Sequence, residues 1–300
     1  MHTVFFDCHP VVNFLYFALV ITFSMCLTHP AALVISLLSA ATYVVLLRGR
    51  KGLRRQLRWL LPTALFAAAA NPLFSHHGVT ILGYLPNGSS LTLESILYGL
   101  AAGGILAAVF LWFTCYNDVM TSDKFIYLFG RIIPALSLIL SMTLRFVPRF
   151  KTQMKTVAQA QRHIGRDMEK GKLRQKLKSA VKVFSIMVTW SLESAIETAD
   201  SMKSRGYGEK GRTAFSIYRL DDRDRGLLLW LVFCGVYLIS GAIAGGFRFW
   251  YYPAISGAEI TPMTVSFFAV YGLLCLTPLL LQYLAARQWK TRRKEERSCE

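Results

Sequence analysis

Chemically active side chains are nearly missing from the long apolar runs of this 300-residue chain. Across 11–47, 59–74, 91–116, 226–246 and 264–286 the sole acidic residue is Glu94 and the sole histidine is His29. A membrane-embedded hydrolase needs a cluster that holds a metal or an acid–base pair, and a stand-alone carrier needs charged groups near the bilayer midplane. Both are kept as alternative readings, and this poverty counts against each. Cysteine says as little. The six residues Cys8, Cys26, Cys115, Cys234, Cys275 and Cys299 show no Cys-x-x-Cys spacing, and most lie in apolar runs where a thiol behaves as a small hydrophobe. Neither a disulfide framework nor a metal site is indicated. The first ten residues also lack lysine and arginine, so the basic start of a secretory signal is missing and the first apolar run is expected to be retained.

What the chain has in abundance is hydrophobicity: 54% of its residues are apolar and the mean hydropathy is +0.40, which places it in the integral membrane class. Basic residues outnumber acidic ones 34 to 17. In a soluble protein the resulting net charge of +17 would suggest nucleic acid. Here the basic residues alternate with apolar runs, which is the distribution that orients a membrane protein, and nucleic acid is not expected as a partner.

Segment 11–47 carries no charged residue and is nearly twice the ~20 residues that cross a bilayer. His29-Pro30 breaks it into a tight hairpin of two spans. Segments 59–74, 91–116, 226–246 and 264–286 complete six expected crossings. Within the fourth, Gly99, Gly103 and Ala107 form a small-residue stripe suited to close helix contact. Between the third and fourth, 80–93 places β-type residues around an Asn-Gly turn, the pattern of a small hairpin outside the membrane.

Basic residues set the orientation. With both termini cytoplasmic, Arg48, Arg50, Lys51, Arg54, Arg55, Arg58, the region 117–225 and the tail from Arg287 lie inside, leaving Arg248 outside. This requires 125–147 not to cross, although its length would permit it. Arg131, Pro134 and Arg145 within that stretch suit a semi-embedded helix. The expected fold is an all-α integral membrane protein with about six transmembrane helices, a semi-embedded helix and a cytosolic domain of amphipathic helices. Its segments are 1–124, with the first four spans, 125–225, with the semi-embedded helix and the cytosolic domain, and 226–300, with the last two spans and a basic tail.

Two helices are expected in the cytosolic part. From 149 to 164, Phe150, Met154, Val157, Ala158 and Gln161 make a modest stripe, and Gly165 stops the helix with Arg162 in its last turn. From 178 to 204 the apolar residues Val181, Phe184, Ile186, Met187, Val188 and Trp190 precede the smaller Ser191, Ala195, Thr198, Ala199 and Met202, with Arg205 and Gly206 at the end. Each helix thus ends on an arginine followed by a glycine. A guanidinium can take a carboxylate bidentately, and a helix end inserts readily into a groove. The simpler account is that each arginine complements a helix dipole, worth ~0.3–1 kcal/mol, and on the residues alone it is favoured.

The run Ala199-Asp-Ser-Met-Lys-Ser-Arg-Gly-Tyr-Gly208, followed by Gly211-Arg-Thr213, closely resembles the transmembrane T component of energy-coupling factor (ECF) transporters. So do Arg145-Phe-Val-Pro-Arg149 and Ala160-Gln-Arg-His163 upstream, and the resemblance covers most of the chain. It implies a membrane domain carrying a cytosolic coupling domain, whose two x-Arg-x motifs dock into a pair of ATP-binding cassette ATPase subunits. Docking falls to Arg162 and Arg205 with their neighbours Gln161, His163, Ser204 and Gly206. Ser204-Arg205-Gly206 fits the family's Ala/Ser-Arg-Gly pattern, whereas Gln161-Arg162-His163 departs from Ala-Arg-Gly on both sides. The resemblance further implies a separate small substrate-binding membrane (S) subunit, ATP held by the partner subunits with no cofactor in this chain, and no enzyme activity here. It implies a multi-pass protein of a prokaryotic plasma membrane and import of a vitamin or metal ion. The small face Ser191, Ala195, Thr198 and Ala199 is the expected crossing point of the coupling helices.

Other patterns are weaker. Gly206-Tyr-Gly-Glu-Lys-Gly-Arg-Thr213 nearly spells a phosphate-binding loop, but Arg212 replaces the lysine and the segment follows a helix instead of a strand. His76-His77 has no evident third ligand. Glu94 is expected to be structural, Asp118 and Asp123 solvated, and Glu193, Glu197 and Asp200 available to pair with a basic neighbouring helix.

Overall fold

The computed structural model describes residues 4–74, 78–84, 90–130, 133–165, 173–209, 218–253, 256–257 and 261–298. Helices α1 (Pro10–Cys26) and α2 (Pro30–Phe74) both open on a proline, whose missing N–H costs nothing in a first turn. The imidazoles of His9 and His29 accept the N–H groups of Val11 and Ala31 at 3.3 and 3.2 Å. The 45-residue α2 bends at Gly49, where φ of +74° favours glycine, so it is two limbs, 30–48 and 50–74. Strands β1 (Ile81–Tyr84) and β2 (Ser90–Thr92) pair antiparallel, as the Asn-Gly pattern predicts. Thr92 then caps α3 (Leu93–Val119) by accepting the Ser95 N–H at 3.4 Å.

The chain continues through α4 (Ser122–Gly130), α5 (Pro134–His163), α6 (Leu173–Ser204) and α7 (Asp222–Ile243). A short pair not foreseen from sequence, β3 (Phe249–Trp250) with β4 (Ser256–Gly257), precedes α8 (Pro262–Ser298). Among the described residues, four helices are long and apolar enough to cross a membrane: α2, α3, α7 and the 262–288 part of α8. The apolar α1 is shorter, at 17 residues. The protein is an all-α membrane protein.

Two compact units divide the chain: 1–125 with 218–300, and 126–217. In the first, Trp112 sits fully buried among Tyr16, Phe17 and Tyr43 and donates its indole N–H to Ser36 Oγ at 3.0 Å. Ser36 is 2.8 Å from Ser24 Oγ, which is 3.0 Å from the Tyr271 hydroxyl, so one satisfied polar chain joins α1, α2, α3 and α8. Satisfied polar groups of this kind specify a register that apolar contacts alone leave loose.

The small-residue stripe brings α3 against the second limb of α2. A Cβ on Gly99 would lie 2.3 Å from the Ala68 carbonyl oxygen, and one on Gly103 2.5 Å from that of Ala64. Ala107 packs at the edge of the core. Glu94 is buried and structural: its carboxylate accepts the Thr80 N–H at 3.2 Å and the Thr80 hydroxyl at 2.7 Å, tying the β1–β2 hairpin to the top of α3.

Several expectations are corrected. The stretch 125–147 is not one helix: α4 ends at Gly130 and α5 begins at Pro134, and α5 runs unbroken through Pro148 into the predicted first cytosolic helix. Pro134 starts a helix well, whereas Pro148 forfeits one backbone bond in a largely exposed turn. Asp118 is not simply solvated. Both its oxygens take the Arg48 guanidinium at 2.6 Å, across the α2–α3 contact. Lys124, unremarked in the sequence, is buried, with its ammonium donating to the carbonyls of Phe6 and Val119 and lying 4.1 Å from the Phe6 ring centre. Burial pushes its pKa below the ordinary lysine value, and burial likewise raises the nearby Cys8 thiol to about 11.

The tightness of the glycine contacts has a measurable consequence. Gly103→Leu forces a side chain into the Ala64 backbone and is expected to cost about 1–3 kcal/mol, read as a lower unfolding midpoint in detergent. An unchanged midpoint would mean that α3 does not approach α2 at this glycine.

Candidate functional site

The second unit is built on α5 and α6, whose residues alternate in exposure with a helical period. On α6 the buried and half-buried positions include Val183, Met187, Trp190, Ser194 and Thr198, spaced three and four apart, with Ser191 beside them. On α5 they include Phe146, Phe150, Gln153, Val157 and Gln161. The helices meet where the Trp190 ring lies 6.3 and 6.2 Å from those of Phe146 and Phe150. The Arg149 guanidinium lies 5.6 Å from Trp190 and 5.9 Å from Phe146, in cation–π range of both. Apolar area, ring geometry and charge therefore all converge on this one contact.

From it the two helices reach outward. Arg162 lies 12 residues past Phe150, and Arg205 15 residues past Trp190. At 1.5 Å per residue these arms are roughly 18 and 22 Å long. Both arginines are exposed at the ends of their arms.

Each arm ends as the glycines predict. Gly206 adopts φ of +73°, the Tyr207 N–H bonds to the Met202 carbonyl at 3.1 Å, and the Gly206 N–H bonds to that of Lys203 at 3.0 Å. This is a Schellman motif with Arg205 as the C-cap residue. Gly165 adopts φ of +79° and its N–H bonds to the Arg162 carbonyl at 3.0 Å, so Arg162 sits two residues before its cap. Terminal carbonyls of both helices thus find backbone donors. The arginine side chains are presented at slightly different heights, one inside the last turn and one at its edge.

The flanking residues are placed as follows. His163 and Ser204 are exposed, the Ser204 hydroxyl donating to the Ser201 carbonyl at 2.9 Å, and Gln161 is half-buried. Of the expected crossing residues, Ser191 and Thr198 are half-buried on the packed face, whereas Ala195 and Ala199 are exposed. Ser194, which the sequence reading passed over, is the buried small residue of α6 at 5% exposure. Its spacing of four from Trp190 is the signal that could have found it.

A second stripe went unread as such: Leu177, Val181, Phe184, Leu192 and Ile196 follow helical spacing on the side of α6 away from Trp190, and each is more than half exposed. Such a stripe on one helix face is the kind of surface that a membrane or another protein covers. Among the described residues, Glu193, Glu197 and Asp200 are exposed and within 4.0 Å of no basic group, and no group of three or more metal-ligating residues occurs. His76-His77 and residues 210–217, with the second half of the phosphate-loop lookalike, lie outside the described residues. Its beginning, Gly206 to Gly208, is the turn closing α6, with no strand before it.

Comparison with known proteins agrees with this geometry. A family described as CbiQ, cobalt transport protein, matches residues 4–215. The energy-coupling factor transporter transmembrane protein EcfT of Exiguobacterium sibiricum is 31% identical over 113 residues, 37% of this chain and 42% of the relative. The protein of the same name from Lacticaseibacillus paracasei is 32% identical over 112 residues, 37% and 40% of the two chains. EcfT 1 of Listeria monocytogenes is 37% identical over 83 residues, 27% and 31%. The matched stretches span about two fifths or less of these relatives' lengths. With the family match reaching from residue 4 through both arginine-tipped helices, the chain belongs to the CbiQ cobalt transport protein family.

Proposed function

We propose that this chain is the energy-coupling scaffold of an ATP-driven importer of a vitamin or metal ion in a prokaryotic plasma membrane, with both termini cytoplasmic. Two ATPase subunits dock on Arg162 and Arg205, and a small substrate-binding membrane subunit is carried beside them. The chain itself performs no catalysis and binds no cofactor, since ATP belongs to the docked subunits. The observation that carries this reading is the pairing of two exposed arginines, each ahead of a left-handed glycine, on helices joined at one aromatic contact. The names of the EcfT relatives support it.

The mechanism follows from leverage. Guanidinium groups at helix ends can be gripped bidentately by carboxylates in a groove, and Gln161, His163, Ser204 and Gly206 form the rims of the two contacts. When ATP draws the two ATPases together, the arms of roughly 18 and 22 Å swing about the Trp190 contact. The exposed stripe Leu177, Val181, Phe184, Leu192 and Ile196 moves with α6, and an apolar subunit resting on it would be displaced. Ser194, with Ser191 and Thr198, keeps the packed face of α6 small enough for the helices to slide.

Charge reversal tests the docking. Arg205→Glu replaces attraction by repulsion, and losing one partner of a buried charge pair costs about 2–5 kcal/mol. Retention of ATPase subunits during purification is expected to fall at least tenfold, with Arg162→Glu adding to the loss. Full retention by the double variant would contradict arginine docking.

The slide is tested separately by Ser194→Phe, which overfills the packed face by about 1–3 kcal/mol. Substrate uptake is expected to drop sharply while ATPase subunits still copurify. Unchanged uptake, or loss of the ATPases with it, would remove the seam from the coupling path.

A further inference from the structure

Beyond the Gly49 bend, α2 shows an arrangement that docking of ATPases does not use. Arg50, Lys51, Arg54, Arg55 and Arg58 follow the i, i+1, i+4, i+5, i+8 spacing of one helical face and together line an open cleft of about 290 Å³. All five are exposed, and among the described residues no carboxylate lies within 4.0 Å of any of them. Asp118, the acid of α3 that reaches across to α2, is committed through both oxygens to Arg48. Like charges one turn apart repel, and a bound polyanion relieves that repulsion.

One step along the same limb the surface changes character. Arg55 also borders a second cavity of about 370 Å³, walled by Trp59, Leu60 and Phe110. Trp59 is 78% exposed at the point where the limb turns apolar, and Phe110 is half exposed on α3. Tryptophan at the start of a membrane-crossing segment occupies the headgroup level. The limb is held firmly against α3 here, because Gln56 donates to Thr114 Oγ1 and accepts from Arg48 at 3.4 Å. Along α2 the order is cationic cleft, then tryptophan, then apolar cavity, with Arg55 common to both spaces. A soluble phosphate would fill the cleft and ignore the cavity. An acidic protein surface would meet the cations and likewise leave the cavity empty. A lipid with an anionic headgroup matches both at once.

We propose that Arg50, Lys51, Arg54, Arg55 and Arg58, with Trp59 and Phe110, form a binding site for an anionic phospholipid of the surrounding bilayer. Its phosphate lies in the basic cleft and an acyl chain runs along the cavity beside Trp59. The site does not depend on the energy-coupling role: it stands on the charge and shape of α2 and α3.

The test uses the full-length protein in phosphatidylcholine vesicles containing a minor fraction of phosphatidylglycerol, with acyl-chain bromine placed on one lipid or the other. Bromine quenches tryptophan on contact, and subtracting a Trp59→Phe sample isolates the signal of Trp59. Per molecule, brominated phosphatidylglycerol is expected to quench Trp59 about tenfold more than brominated phosphatidylcholine. Arg54→Gln, Arg55→Gln and Arg58→Gln together should abolish the preference. Equal quenching by the two lipids in the unaltered protein would overturn the proposal, whatever the variant does. So would a preference that survives the triple substitution, or one erased by soluble glycerol phosphate, which would mark a simple anion site. If the triple variant sheds copurifying subunits yet keeps its lipid preference, the cations serve a protein surface and the lipid site is rejected.

Discussion

The contact of Trp190 with Phe146 and Phe150 fixes where α5 and α6 meet, and the positions of both arginine-tipped arms are measured from it. The contact is made of large rings with a guanidinium over them, so it is strong for its size and compatible with rotation about itself. Helices joined over a long continuous face resist relative motion. Here α6 buries only Val183, Met187 and Ser194 among its described residues, all on the Trp190 face, with Trp190, Ser191 and Thr198 half-buried beside them. A unit with so small a core draws little stability from its own packing, which fits the moving, partner-completed role proposed for it.

The first unit follows the opposite logic. Trp112 is enclosed by Tyr16, Phe17 and Tyr43 and hydrogen-bonded into the Ser36, Ser24 and Tyr271 chain. The α3 glycines let the α2 backbone approach to a distance no side chain would allow. In an apolar solvent, helices gain little from hydrophobic attraction to one another, so close backbone approach and satisfied polar groups provide the cohesion. One unit is therefore built with tight internal packing, whereas the other, under the proposed function, is the part that moves.

Much of this was legible in the sequence, and for identifiable reasons. Glycine after arginine predicted both helix ends because a left-handed turn is a local property, and Gly165 and Gly206 adopt it. Gly99 and Gly103 predicted a close contact because small residues four apart have one use on an apolar helix. The β1–β2 hairpin followed from its turn residues. Non-local facts were hidden. The Arg48–Asp118 pair joins residues 70 apart in sequence, and the burial of Lys124 depends on carbonyls of Phe6 and Val119. Reading small residues by size alone did not find the buried one on α6. Ala195 is smaller than Ser194, but one residue turns a helix by about 100°, and the period set by Trp190 selects Ser194. Separate helices were expected over 125–147 and 149–164, but α5 runs on through Pro148, since a proline in an exposed turn need not end a helix.

The central claim is that two helix ends are moved relative to one another by nucleotide, and one distance measurement addresses it directly. Spin labels on Gln159 and Ser201, exposed positions one turn behind Arg162 and Arg205, would report the separation of the arms in the protein purified with its native partners. The account predicts that the distance distribution shifts when ATP is added and returns after hydrolysis. A distribution identical with and without ATP, in a preparation that hydrolyses it, would contradict the lever and leave the arginine tips as static attachments.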